Sequence, residues 1–445
     1  MASYSKTDLV VIGGGLAGCE ASWQAAQRGV RVSLYEMRPQ RPTPAHKTGD
    51  LAELVCSNSM GSLDILNAAG LLKEEMLRLD SLILRIAQGC KVPAGSALAV
   101  DRGEFAKKVT KEIETHPNIN LRREELTEVP QDIPSIIATG PLTSDTLTIN
   151  LRRFTRSEHL YFYDAISPIV DGETISYEVA FRASRYNKGG NDYVNCPMNE
   201  QEYDLFYEAM LAAEKVPLRS FEKIPYFEGC TPIEVQAERG RQTLLFGPMK
   251  PVGLVDPQTG NRPFAVVQLR QEDLYGSCYN MVGFQTKLKW PEQKRVFRMI
   301  PGLEKAEFLR LGSVHRNTFI NAPLLLRETL QSRQNEKLFF AGQIVGVEGY
   351  VEAASMGLLA GMNAARLIQN RALVVPPQTT AHGTLINYLT KTQPGHFQPM
   401  NINFGLFPPL EWKSPQRELR RRRIVSRALG DLDRWKEKYR ISPNT

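Results

Sequence analysis

The apolar positions near the start of the chain fall into two short runs with a small-residue segment between them. DLVVI (8–12) and VRVSLYE (30–36) have the length and β-branched content of buried strands, and GGGLAGCEASWQAAQRG (13–29) reads as a turn that opens a helix. Together they predict one βαβ unit. The three prolines of MRPQRPTPAHKTGD (37–50) predict an extended loop. Helical periodicity follows in LNAAGLLKEEMLRLDSLILRIA (66–87), and SIIATG (135–140) reads as a short buried strand ending at a glycine. From about 151 to 311 the pattern changes to strand-like runs, YVNCPM, TLLFGPMKPVG, FAVVQLR and YNMVGFQT, separated by Gly and Pro. LFFAGQIVGVEGYVEAASMGLLAGMNAARLI (338–368) returns to strand, loop and long helix. Beyond 373 the chain is Pro-rich, then helical and charged.

The turn of the first unit carries the pattern Gly13-x-Gly15-x-x-Gly18 between a strand and a helix, and Glu36 stands at the end of the next strand. In that context the pattern is a dinucleotide fingerprint. Gly13 permits the tight turn, Gly15 lets the backbone approach a pyrophosphate, and Gly18 lets helix and strand pack closely. Gly14, Leu16 and Ala17 complete the phosphate-facing turn, and Glu36 accepts hydrogen bonds from a ribose. Two distant segments, IIATG ending at Gly140 and LFFAGQ with Gly342 and Gln343, are those expected of a glutathione-reductase-type FAD domain. A helix starting near Gly349 and Tyr350 would aim its N-terminus at the flavin. The predicted fold class is therefore α/β, a Rossmann FAD-binding domain with an inserted α+β domain. Its expected divisions are 1–150 and 312–372 for FAD, 151–311 for the insertion, and 373–445 for a C-terminal segment. With one fingerprint in the chain, NADPH or NADH would visit transiently as a reductant.

Composition narrows the picture only modestly. The 445 residues are 42% hydrophobic and 23% charged, and no apolar run reaches the length of a spanning helix. The N-terminus lacks signal-peptide character, which makes the cytoplasm the expected compartment. Cysteines at 19, 56, 90, 196, 230 and 278 form no C-x-x-C pair, so neither a zinc ribbon nor a redox dithiol is expected. The net charge of +7 permits a polyanionic partner. Part of the excess sits in RELRRRR (417–423), which is either a phosphate contact or a solvated helix face.

The unpaired cysteines gain meaning from the longer motifs around them. GGGLAGCEA, YEMRP, PAHKT, LAELVCSNS, VPAGSALAVDR, YFYDAISPIV, FEGCTPIE, TLLFGPMKPVGL and NMVGFQTKLKWPEQKRVFRMIPGLE resemble the folate- and FAD-dependent tRNA (uracil-C5)-methyltransferases of bacteria. The resemblance runs over roughly residues 8 to 405, with Thr231 departing from an expected methionine. It implies methyl transfer from 5,10-methylenetetrahydrofolate to uracil-54 in the T loop of tRNA, with FAD carrying electrons from NAD(P)H. Uracil C5 becomes nucleophilic only after a thiolate adds to C6. The expected sequence is thiolate addition, methylene transfer through flavin N5 and hydride reduction. The family pattern makes Cys230 the nucleophile and Cys56 the base or thiol partner, with Lys250 or Arg270 as candidates for activating a thiol.

A folate pterin should stack on the flavin beneath a ring from His315, His46 or Tyr350, while Arg316 or Lys287 meets its glutamate tail. For RNA, SRYNKGG (184–190), with Arg185 and Lys188, and KLKWPEQKRVFR (287–298), with Lys287 and Lys289, combine basic and aromatic residues. Three other readings compete with this one. A wobble-uridine-modifying flavoprotein would carry a longer helical C-terminal domain, a flavin disulfide reductase would need a cysteine pair, and a non-catalytic FAD protein would scaffold RNA without needing a thiol.

Overall fold

Leu9–Ile12 is buried at all four positions, as a strand covered on both faces must be. It lies at the middle of a five-stranded sheet ordered Leu338–Phe340, Ser135–Ile137, Leu9–Ile12, Val32–Tyr35 and Ile119–Arg122. Every pairing in it is parallel. The edge strand at 338–340 thus comes from far along the chain. The computed structural model describes residues 7–155, 160–187, 190–217, 231–411 and 416–441.

Two helices, Leu16–Ala26 and Tyr350–Ile368, pack against each other beside this sheet. A Cβ on Gly357 would stand 2.2 Å from the Ala17 carbonyl oxygen, and one on Gly361 would stand 2.3 Å from that of Ala21. The helix backbones therefore touch. The small residues of AASMGLLAGMNAA make this contact, and through it the N-termini of both helices reach the same end of the sheet.

A six-stranded antiparallel sheet stands apart, ordered Phe181–Arg182, Tyr193–Met198, Ala265–Gln271, Cys278–Met281, Ile169–Asp171 and Phe308–Arg310. Its own core includes Tyr203, Phe206, Tyr279, Phe284 and Phe297. The paired strands Leu160–Ile166 and Ser313–Phe319 lead out to it and back. The periodic stretch 66–87 is helical as expected and divides into two helices, Ala68–Arg78 and Leu82–Gln88, because Asp80 takes a left-handed φ of 59° and the Ser81 side chain caps the second helix. One expectation needs correction. TLLFGPMKPVG is not a strand but the short helix Thr243–Phe246 followed by turns.

The residues after 373 belong to the first core. Glu75 caps the helix Ala381–Lys391 from another element, accepting the Ala381 N–H at 2.7 Å and the His382 N–H at 3.1 Å. The C-terminal helix Arg417–Tyr439 buries Val425, Ala428, Leu432 and Trp435. Among the described residues no helix is long and apolar enough to cross a membrane.

The backbone contact yields a prediction of opposite signs for two glycines. Alanine gains about 1 kcal/mol of helix propensity over glycine. At Gly361 the methyl meets backbone that cannot rotate away, and overpacking of about 1–3 kcal/mol outweighs that gain. At Gly430 only the Arg434 guanidinium lies within 4 Å of the added atom. Gly361→Ala should lower the thermal midpoint, and Gly430→Ala should raise it slightly, both measured by differential scanning calorimetry.

Candidate active site

A cleft of about 1050 Å³, counted out to its solvent mouth, opens where the two helices begin. Gly13, Gly15, Leu16, Ala17, Glu36, Gly140, Gly342, Gln343, Gly349 and Tyr350 all line it, and so does His46. Gly14 and Gly18 stand just behind. The Gly14 N–H donates to Glu36 Oε2 at 2.8 Å, and a Cβ on Gly18 would lie 1.8 Å from the Gly13 carbonyl oxygen.

The walls suit a long anionic ligand. Both helices start at glycine N-caps, Gly15 and Gly349, that contribute no side-chain hydrogen bond, so their positive dipole ends face the cleft, with Glu352 taking its own first-turn N–H in the second helix. Gly13 needs its glycine for a φ of 104°. Gly15 does not, because its φ of −77° and ψ of −170° suit any residue. A Cβ there would meet nothing within 4 Å, so glycine leaves bare backbone facing open space. A pyrophosphate fits such a surface, and the carboxylate of Glu36 on the neighbouring strand end fits the ribose. These residues are compatible with a dinucleotide such as FAD.

Glu36 is also tied into the protein. Arg38 donates to Glu36 Oε1 from its backbone N–H and from Nε, each at 2.9 Å, and reaches Glu53 Oε2 at 3.2 Å. Burial pushes the Glu36 carboxyl up, but the Arg38 guanidinium and the amides of Arg38 and Gly14 outweigh it and hold the group below its usual range. The ion pair keeps the carboxylate ionised and aimed. Nothing in the sequence spacing pointed to Arg38, beyond its position two residues past the strand.

Cys56 lies half-buried in a segment gripped from several directions. The Tyr350 hydroxyl accepts the N–H groups of Cys56 at 2.8 Å and Ser57 at 3.1 Å, tying the segment to the cleft wall. Arg102 donates to the carbonyls of Leu54 at 2.9 Å and Cys56 at 3.4 Å, and Arg310 donates to those of Val55 at 3.0 Å and Cys56 at 3.2 Å. Arg270 holds Ser57 Oγ at 2.6 Å and Asn58 Oδ1 at 2.8 Å. Glu272 pairs with Arg102. Burial, followed by the charge of Arg102, pulls Arg310 down to about 10. Three guanidiniums thus surround one thiol-bearing segment, and two of them, Arg102 and Arg310, escaped sequence reasoning because their partners are distant carbonyls.

Other described thiols have unhelpful surroundings. Burial pushes those of Cys19, Cys90 and Cys196 up, and burial with the Asp273 carboxylate raises Cys278 to about 12. Cys230 and Lys188 lie outside the described residues, as do the side chains of His315 and Arg316. His46 pairs its Nδ1 with Thr43 Oγ1 at 2.7 Å. Arg185 turns inward to Gln268 Oε1 at 2.8 Å and the Val252 carbonyl at 2.9 Å. Lys289 meets Glu214 at 2.6 Å on the surface, and the Lys287 N–H donates to the buried Glu234 at 2.6 Å. Among the described residues no group of His, Cys, Asp and Glu is arranged to hold a metal ion.

With this geometry in hand, comparisons with known proteins are informative. A family model described as Glucose inhibited division protein A matches residues 8–372. The methylenetetrahydrofolate–tRNA-(uracil-5-)-methyltransferase TrmFO of Pelotomaculum thermopropionicum is 58% identical over 429 residues, 96% of this chain and 98% of that protein. The protein of the same name from Geobacter sulfurreducens is 59% identical over 428 residues, again 96% of this chain and 98% of the relative. Among solved structures, Aquifex aeolicus GidA in its form II crystal superposes with a TM-score of 0.69 at 18% identity, covering 99% of this chain and 76% of that one. That last similarity is one of fold.

Filling the bare surface at Gly15 tests the cofactor cleft. Gly15→Val, allowed by the backbone, should weaken FAD binding about tenfold or more, the scale of about 1.4 kcal/mol or above. Flavin absorbance after gel filtration reads the outcome, and undiminished flavin content would contradict the assignment.

Proposed function

The chain belongs to the family of methylenetetrahydrofolate–tRNA-(uracil-5-)-methyltransferases, and from that premise we propose that it methylates C5 of a T-loop uracil in tRNA, the base at position 54. The one-carbon donor is 5,10-methylenetetrahydrofolate. FAD, when bound, supplies the electrons that convert the transferred methylene to a methyl group, and NADPH or NADH replenishes them. The observation that carries the reading is identity near 58% over nearly the full length of both chains. The cleft agrees with it, offering two helix N-termini and an ionised Glu36 for the dinucleotide, beside a segment that bears a thiol.

Thiolate addition to uracil C6 pushes the ring electrons toward C5 and O4, which makes C5 the nucleophile toward the one-carbon unit. The C5 proton must then leave to a base, and elimination of the thiolate restores the aromatic ring. We assign the addition to Cys230 and the assisting role at C5 to Cys56. Tyr350 fixes the Cys56 amide at the cleft wall, Arg102 and Arg310 hold the surrounding carbonyls, and Arg270 holds the Ser57 and Asn58 side chains. Their positive charge also suits the electron-rich ring formed when sulfur adds to C6. His46, on the cleft wall, is the described candidate for covering the pterin, and His315, whose side chain lies outside the described residues, is the other candidate for that role. The T-loop base is stacked in the folded RNA and must be turned out to reach a thiol. The reading places the protein in the cytoplasm with its RNA substrate.

Reconstitution tests this directly. Purified protein with unmodified tRNA, methylenetetrahydrofolate, FAD and NADPH should form 5-methyluridine, measured by nucleoside mass spectrometry. Cys56→Ala should slow single-turnover product formation by about 10²–10⁴, the range for a general base. Cys230→Ala should abolish it within detection. Activity that survives the loss of Cys230 would overturn the nucleophile assignment, and activity that requires S-adenosylmethionine would overturn the folate reading.

A further inference from the structure

The proposed chemistry uses no part of the C-terminal helix, yet that helix holds most of the molecule's excess charge. Residues 417–427 contain six arginines and one glutamate, a net of +5 where the whole chain carries +7. The helix is already seated. Val425, Ala428, Leu432 and Trp435 fill the core, and Arg78 pairs with Asp433 at 2.8 Å. Arg421 lies 5.6 Å over the Phe404 ring, and Arg427 donates to the Pro408 carbonyl at 2.6 Å and that of Pro409 at 3.0 Å. These contacts leave Arg417 and Arg420 exposed in the first turns. Arg420 and Arg423 follow at i and i+3 and are both exposed, so they share one side of the helix.

The patch is also close to the cleft. Asn401 donates to the Glu348 carbonyl at 2.8 Å, and the Ile402 N–H donates to Glu352 Oε1 at 3.1 Å, beside Gly349. Phe404 is two residues beyond Ile402 and Arg421 covers it, so the basic turns begin within roughly 20 Å of the N-terminus of helix Tyr350–Ile368. A merely solvated helix face ordinarily mixes signs at i, i+4, whereas here Glu418 alone answers six arginines. All six basic residues are arginine, the side chain that grips phosphate with a planar fork. Insertion into a membrane surface would need a free apolar face, and this one is spent on the core.

We propose that the N-terminal half of the helix, Arg417 to Arg427, is a phosphate-backbone contact surface that holds the RNA substrate while its target base enters the cleft. This rests on the tRNA reading given above. Its role is binding and not chemistry, so it appears in affinity and salt dependence.

The test is Arg417→Glu with Arg420→Glu in the full chain. Glutamate in a first turn favours the helix N-terminus, so the variant should fold. Filter binding of unmodified tRNA at several salt concentrations should show affinity reduced about tenfold or more, with the slope of log K against log salt smaller in magnitude by about 2. Turnover at saturating tRNA should stay within about twofold of wild type, since the chemistry is untouched. A matched control, Lys107→Glu with Lys111→Glu on the exposed side of helix Arg102–Thr115, makes the same change in net charge and should leave affinity and slope at wild-type values. Wild-type affinity and slope in the arginine variant would overturn the proposal, as would an equal loss in the lysine control. A loss of binding to phosphatidylserine vesicles with tRNA binding intact would overturn it in favour of a lipid surface. Wild-type protein that neither binds nor methylates tRNA would remove both this surface and the function it serves.

Discussion

The site depends on two helices touching backbone to backbone. Glycines at 357 and 361 let helix Tyr350–Ile368 sit directly on Ala17 and Ala21 of helix Leu16–Ala26. Any side chain there would separate them, and with them the two helix N-termini that face one cleft. The parallel sheet fixes the other coordinate. Strand Leu338–Phe340 pairs with Ser135–Ile137, so the segment leading to Gly342 and Gly349 is delivered beside the first glycine turn. A dinucleotide cleft thus results from small residues at a helix crossing and from one long-range strand pairing.

The thiol segment is built on a different principle. Residues 54–58 form no regular ladder of their own, and their polar groups are satisfied by Tyr350, Arg102, Arg270 and Arg310. Arg102 belongs to the helix that follows strand Ala97–Val100, whereas Arg270 and Arg310 come from strands of the antiparallel sheet. The position of Cys56 is therefore set jointly by the antiparallel sheet and by the helices that carry Arg102 and Tyr350. A buried guanidinium such as Arg270, flanked by two half-buried ones, is costly to desolvate, and such a cluster persists where geometry matters more than stability.

Local pattern accounted for much of the fold. The βαβ unit, the strand at 135, the return strand at 338 and the long helix after it were legible because each has its own periodicity or turn chemistry. The break at Asp80 was hidden inside continuous apolar periodicity, and Thr243–Phe246 looked strand-like because a four-residue helix is too short to show a period. The fingerprint glycines and Glu36 could be named from spacing, since the βαβ unit keeps them close in sequence. Arg102 and Arg310 could not, because their partners are carbonyls that only the tertiary fold brings near, and Arg38, though two residues from Glu36, falls under no spacing rule that marks the pair. Arg185 shows the converse. It looked like a nucleic-acid contact in a basic stretch, and its guanidinium instead ties a strand to the Val252 turn.

The central claim is that this cleft joins a folate one-carbon unit to a tRNA uracil and completes the methyl group with a hydrogen from the reduced cofactor. The most direct measurement supplies methylenetetrahydrofolate carrying ¹³C and two deuteriums on the transferred carbon, then reads the mass of the product nucleoside. The account predicts 5-methyluridine whose methyl carries ¹³C, both deuteriums and one hydrogen. An unlabelled methyl group, or a methyl labelled only when S-adenosylmethionine is the labelled donor, would contradict it.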